Sequence, residues 1–92
     1  MELVRGQVVF SRQGRDAGNA YVVVALAGER VLLCDGGKRT LLEPKQKNLR
    51  HINLSTTVLE PQQMETDGNL KAALKAYEDA HGLSAEGTSK GG

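Results

Sequence analysis

Short apolar runs, separated by glycine-containing or polar turns, occupy the first 59 residues of this chain. The strongest run is AYVVVALA at residues 20–27, in which β-branched side chains favour an extended strand. Its unbroken apolar character predicts that both faces of this strand are buried. Glycines at positions 28, 36 and 37 suit the tight turns that join neighbouring antiparallel strands. On this basis the predicted strands span residues 4–10, 20–27, 30–34, 39–42 and 51–59.

Five short strands in so few residues predict a mainly β fold, in the form of a small SH3-like five-stranded antiparallel barrel. Closure is favoured because it removes exposed strand edges, which would otherwise pair with other chains. The polar segment 43–48 is predicted as a loop after the fourth strand, since Pro44 has no N–H to donate to a strand ladder. With its single cysteine, the chain has no intramolecular disulfide to stabilise so small a core.

The composition changes at residues 60–61, after which good helix formers become frequent. A C-terminal α-helix is predicted over residues 70–81, with Leu70, Leu74, Tyr77 and His81 along one stripe. Because so short a helix is only marginally stable alone, we expect it to dock on the sheet. The predicted units are the barrel at residues 1–59, a linker and helix at 60–83, and a disordered glycine- and serine-rich tail at 84–92.

Charge is distributed unevenly along the chain. Residues 1–59 carry nine of the 12 lysines and arginines but only five of the 11 acidic residues, a net charge of +4. Residues 60–92 carry the other three basic and six acidic residues, a net charge of −3, so that the whole chain sums to +1. A basic front half joined to an acidic back half indicates that the barrel binds a polyanion.

Residues that could carry catalysis or hold a metal are few and scattered. Cys34 lies in an apolar run, where a buried thiol acts as a small hydrophobic side chain, and His51 and His81 fall in different predicted elements. We therefore expect no enzyme activity, no catalytic residue, no metal and no cofactor. The N-terminal residues lack the apolar stretch of a signal peptide, and no run is long enough to span a bilayer, so a cytoplasmic protein without membrane contact is predicted.

The polar segment between the first two predicted strands carries the most specific motif. Its charged, amide and glycine residues are Arg12, Gly14, Arg15, Asp16, Gly18 and Asn19. This arrangement resembles the KOW motif of ribosomal proteins and transcription elongation factors, with Gly14 as the central glycine. The wider stretches GRDAGNAYVVV and VLLCDGGKRTLLEPKQKNLRHI are similar to small bacterial KOW-domain RNA-binding proteins. They are similar also to archaeal and eukaryotic large-subunit ribosomal proteins of the fourteenth and sixth families, and the resemblance covers about residues 4–54.

The resemblance implies an SH3-like barrel that binds RNA, usually structured ribosomal RNA, through basic loops. The segments 11–19 and 38–51 are then expected to form one positive surface, with Gly14 and Gly18 letting the backbone approach the RNA closely. Ribosomal proteins are further expected partners. The free protein is expected to be a monomer, and the RNA-bound protein is expected to associate with the ribosome. The side chains predicted to contact RNA are Arg12, Arg15, Asn19, Lys38, Arg39, Lys45, Lys47, Asn48, Arg50 and His51.

Two other interpretations stay open at this point. The lysines of the basic segment are also compatible with an ordinary solvated surface. The helix stripe or an open barrel edge is also compatible with a protein-interaction module, with RNA binding incidental. Only three aromatic residues are present, Phe10, Tyr21 and Tyr77, which disfavours base stacking, proline-rich peptide grooves and methyl-lysine cages. Recognition of RNA by shape and backbone charge is favoured instead.

Overall fold

The computed structural model describes residues 3–12 and 19–80. Five strands form one antiparallel sheet in the order β4-β3-β2-β1-β5, and one helix follows them. Short 3-10 turns lie at Leu49–His51 and Pro61–Met64. The regular elements are β1 (Gln7–Ser11), β2 (Ala20–Ala27), β3 (Arg30–Cys34), β4 (Lys45–Asn48), β5 (Ile52–Val58) and α1 (Asp67–Ala80). The predicted mainly β fold with five antiparallel strands and a C-terminal helix is confirmed.

The central strand β2 is buried on both faces over residues 20–23, as its apolar sequence predicts, whereas Leu26 and Ala27 at its end are exposed. Val22 faces a core between the sheet and α1, while Val23 faces a second core on the opposite side of the sheet. β2 pairs with β3 through the register Ala27↔Arg30, and the turn between them places Gly28 at a φ of 65°. The positive φ explains why a glycine occurs there, because other residues adopt that conformation only at a cost. Both strands have the predicted bounds.

The prediction for the fourth strand is wrong, because residues 39–42 form no strand and β4 lies at Lys45–Asn48 instead. The backbone of the predicted strand is engaged elsewhere. The carbonyl of Arg39 accepts hydrogen bonds from the N–H groups of Asp35 and Gly36, at 2.9 and 3.1 Å, which closes a turn. The N–H of Leu41 donates to Asp67 Oδ1 at the start of α1, at 2.8 Å. Pro44 precedes the strand, so its missing N–H interrupts no ladder bond.

The two edges of the sheet, β4 and β5, follow each other along the chain and are linked by the 3-10 turn at Leu49–His51. Within the described residues no pairing joins these two strands, so the sheet is open and the predicted closed barrel is not confirmed. The sheet is nevertheless strongly curled. Ile52 of β5 belongs to the same buried cluster as Val31 of β3, although two strands separate them. Curling therefore buries one face of the sheet against itself, while α1 covers the other.

The helix α1 docks on the sheet along the predicted stripe. Leu70 and Leu74 are buried against side chains of the sheet, including Val8 and Val22, and Tyr77 contacts Phe10 with ring centroids 6.0 Å apart. The helix begins three residues earlier than predicted, and His81 lies outside the described residues. The protein's own sheet therefore covers the apolar stripe that the sequence also offered as a surface for a partner protein.

Gly36 brings the turn after β3 into contact with the first turn of α1. Its φ is 82°, and a Cβ atom built on it would lie 2.7 Å from the backbone nitrogen of Lys71 and against the carbonyl oxygen of Asp67. Cβ atoms essentially never approach backbone so closely, so only glycine fits between turn and helix. This contact fixes the relative position of the two elements.

Candidate functional site

A groove of about 800 Å³ is lined by residues of the sheet, of the turn after β3 and of α1, and half of its described lining residues are basic. Its lining also includes Asn19, Tyr21 of β2 and Leu74 of α1. The six cations come from the turn after β3, from β4 and from α1, and of these only α1 is distant in sequence from the others. We call this the basic groove and define it by its cations, Lys38, Arg39, Lys45, Lys47, Lys71 and Lys75.

β4 contributes two lysines to the basic groove. Alternate residues of a strand point to the same face, so that Lys45 and Lys47 share one face and Gln46 takes the other. Both lysines are half-buried, whereas Gln46 is exposed and accepts a hydrogen bond from Arg30 Nη1 on the neighbouring strand. The predicted RNA-contacting lysines are therefore held on a paired strand rather than on a loop, and their spacing aims both into the groove.

The turn after β3 contributes Lys38 and Arg39, which are both exposed. Asp35 organises this turn, because its Oδ1 accepts hydrogen bonds from the N–H groups of Gly37 and Arg39, at 2.8 and 2.9 Å. An aspartate that bonds to backbone N–H groups two and four residues ahead is a common way of closing a polar turn. The carboxylate thus holds two basic residues at the mouth of the groove.

The helix α1 contributes Lys71 and Lys75, which the sequence does not predict as site residues because the C-terminal segment is acidic overall. Each lysine follows a buried leucine of the docked stripe, so the two lie one helical turn apart beside the sheet. Lys75 also forms an exposed ion pair with Asp79, with 3.7 Å between Nζ and Oδ2. The lysine spacing was visible in the sequence, but its proximity to β4 depends on how the helix docks.

Two carboxylates, Asp35 and Glu78, also line the basic groove. Partial burial raises the pKa of Glu78 above its usual value, the nearby charges of Asp79 and Asp35 raise it further, and Lys75 opposes them. Among the described lining residues, six cations and two carboxylates give a net charge of +4 when both acids are ionised. The whole chain has a net charge of only +1, so the groove concentrates positive charge at one place.

The predicted RNA-contacting residues divide into three groups. Five line the basic groove, namely Asn19, Lys38, Arg39, Lys45 and Lys47. Four others lie outside its lining, around the 3-10 turn before β5, namely Arg12, Asn48, Arg50 and His51. In this second group Arg12 Nη1 donates to the carbonyl of Arg50 at 3.4 Å, and Asn48 Oδ1 accepts from the Arg50 N–H at 2.9 Å. Arg15, Gly14 and Gly18 lie outside the described residues.

Cys34 is fully buried in the core between sheet and helix, and its Sγ donates a hydrogen bond to the carbonyl of Thr40 at 3.1 Å. Burial raises the pKa of the thiol to about 11, and the charges of Asp67 and Asp35 contribute in the same direction. The thiol is therefore protonated at neutral pH. Because the thiolate is the nucleophilic form, Cys34 is suited to core packing and not to nucleophilic attack.

We expect Cys34 to make the protein less stable as the pH rises from about 9 to 11. The thiol of the unfolded chain ionises near its ordinary pKa of 9.0, whereas burial in the folded protein raises this pKa to about 11. Ionisation therefore favours the unfolded state in this range, by up to about 3 kcal/mol, and the stability is fully present below pH 9. Urea unfolding at several pH values would measure the slope, and the Cys34→Ala variant should lose this part of it. An identical slope in both proteins would contradict the assignment.

Other chemical classes find little support in the described part of the chain. Residues 3–12 and 19–80 contain no group of three or more histidine, cysteine, aspartate or glutamate side chains arranged to hold a metal ion. In the same residues no helix has the length and apolar character needed to cross a membrane. The basic groove is therefore the principal candidate for a binding site.

No protein-family model matches the chain, and a search of curated proteins finds no match to it. A function must accordingly be argued from the groove and its charges.

Proposed function

We propose that this protein is a non-enzymatic RNA-binding module that docks structured RNA in the basic groove. The observation that carries the proposal is the convergence of six cations from a turn, an edge strand and a helix, against two carboxylates. Like charges that line one groove repel one another. A bound polyanion removes this repulsion, because its phosphates neutralise the cations and release the counterions that both partners held.

The arrangement of the aromatic residues supports recognition of the RNA backbone rather than of stacked bases. Phe10 and Tyr77 contact each other beside the sheet–helix core, and Tyr21 is only 4% exposed. Proteins that bind single-stranded RNA usually stack the bases on exposed aromatic rings. Without such rings in the described residues, lysine and arginine contacts to phosphates are the main source of affinity, as in recognition of folded RNA by shape.

Ribosomal RNA is the first RNA to consider, because the KOW resemblance implies it. On this proposal the protein is cytoplasmic and associates with the ribosome or with the translation apparatus. Crosslinking the protein in cells and sequencing the attached RNA would identify the bound RNA directly. Enrichment of ribosomal RNA segments is the expected result. Enrichment of unrelated RNA would contradict association with the ribosome but not RNA binding in the groove.

Binding should depend steeply on salt. If the net charge of the basic groove is neutralised by about four phosphates, log K falls against log salt with a slope of roughly −3 to −4. Raising the salt from about 50 to 200 mM is then expected to weaken binding by about 100-fold. Fluorescence anisotropy with a labelled RNA hairpin would measure this dependence. A slope near zero, or no complex even at the lowest salt concentration, would contradict the proposal.

A further inference from the structure

One carboxylate of the basic groove has, among the residues that the structure describes, only the nearby charge of Lys75 acting to lower its raised pKa. Glu78 is half-buried on α1 and lines the groove, and it accepts no hydrogen bond from any of the described residues. Asp35, the other groove carboxylate, differs because two N–H groups of its own turn bond to its Oδ1. Glu78 therefore brings to the lining of the groove acceptor atoms to which no described residue donates a hydrogen bond.

An ionised Glu78 is unfavourable in a groove that binds phosphates alone. A phosphate held by Lys75 or Lys71 would lie near the carboxylate, and the two negative charges repel. The repulsion is offset when the ligand places a hydrogen-bond donor beside its phosphates, because a carboxylate is a strong acceptor. Every nucleotide of RNA carries such a donor next to its phosphate, the ribose 2′-hydroxyl.

We infer that Glu78 accepts a hydrogen bond from a ribose 2′-hydroxyl and makes the basic groove selective for RNA over backbones that lack this donor. The inference rests on the proposed RNA binding. The sugar is the better match than a base, because lysines bind phosphates without regard to sequence and a 2′-hydroxyl is present at every position. An exocyclic amino group of a base would instead make binding depend on sequence.

The test compares two hairpins of the same sequence, one of ordinary RNA and one with 2′-fluoro riboses. Fluorine keeps the A-form helix and removes the donor hydrogen, so the comparison isolates the hydroxyl from the helix shape. The protein should bind the ordinary hairpin about fivefold more tightly, the effect of one hydrogen bond to a partly exposed carboxylate. Glu78→Ala should bind both hairpins equally. It should also bind the fluorinated hairpin more tightly than the original protein does. Glu78→Gln keeps a carbonyl acceptor and should retain part of the preference.

Asp79→Ala is the matched control, because it removes the neighbouring carboxylate, which does not line the groove. It should leave the ratio between the hairpins unchanged, even if the loss of its ion pair with Lys75 strengthens binding to both. Equal binding of the two hairpins by the original protein, or an unchanged ratio in Glu78→Ala, would overturn the inference while the proposed function stands. A ratio that varies with the base sequence would point to a base amino group and overturn it too. Failure to bind either hairpin would overturn the proposed function itself.

Discussion

Exchanging Lys45 and Lys47 together for glutamate is expected to weaken RNA binding by at least about 50-fold at 0.1 M salt. At that concentration each neutralised phosphate contributes roughly eightfold to affinity through counterion release, so two lost contacts give about 60-fold. The two new carboxylates add repulsion to this loss. Both side chains lie on the same face of β4 and line the basic groove, so the reversal acts at one place.

Arg5→Glu combined with Arg30→Glu is the matched control for this prediction. It changes the net charge by the same amount, but both arginines are exposed and neither lines the basic groove. Fluorescence anisotropy should show a loss of only a few-fold in the control, from long-range electrostatics. Thermal melts of both variants would establish that they fold. Equal losses in the two variants would show that net charge, and not the groove, governs binding.

Replacing Gly36 by alanine is expected to destabilise the fold by about 3 kcal/mol or more. Two costs add at this position: about 1–2 kcal/mol for a positive φ in a residue with a Cβ, and about 1–3 kcal/mol for overpacking. The overpacking arises because the new methyl group meets the backbone of α1 at Asp67 and Lys71. The turn must then move away from the helix, which also separates the cations on the two sides of the basic groove.

Alanine variants at two other glycines measure the cost of the positive φ separately from the cost of overpacking. Gly28 has a φ of 65° but open space around it, so Gly28→Ala should cost only the conformational term of about 1–2 kcal/mol. Gly37 has no positive φ and would place its Cβ 3.7 Å from Asp35 Oδ1, an ordinary contact, so Gly37→Ala should change stability by less than about 1 kcal/mol. Urea unfolding of the three variants would measure the series. A Gly36→Ala variant no less stable than Gly28→Ala would show that the turn does not pack against the helix.

Sequence patterns were sufficient to predict the strands that are rich in apolar residues. β2 and β3 have the predicted bounds, and β5 lies within the predicted segment 51–59, because β-branched runs and period-two alternation reflect burial directly. β4 could not be found in the same way. Its polar sequence has little strand propensity, and the residues taken for a strand are instead held by a hydrogen bond from Leu41 to Asp67, a residue 26 positions away.

The basic groove was predictable on one side only. Lys45 and Lys47 were identified from charge and from the family resemblance, although as loop residues. Lys71 and Lys75 were missed, because the charge of a segment says nothing about which element it will face after folding. The apolar stripe at Leu70 and Leu74 did predict docking of the helix, and a lysine beside each leucine was therefore a signal that the sheet side of the helix is basic.

The basic groove is lined by residues of both the sheet and the helix, so a ligand that contacts residues of both elements resists their separation. Such a ligand binds the folded protein and not the unfolded chain, and its binding free energy then adds to the free energy of unfolding. A domain of this size has little stability in reserve. Bound RNA would thus stabilise the docking of α1 on the sheet, in addition to the apolar core. The protein would then be most resistant to heat and proteolysis in its complex with RNA.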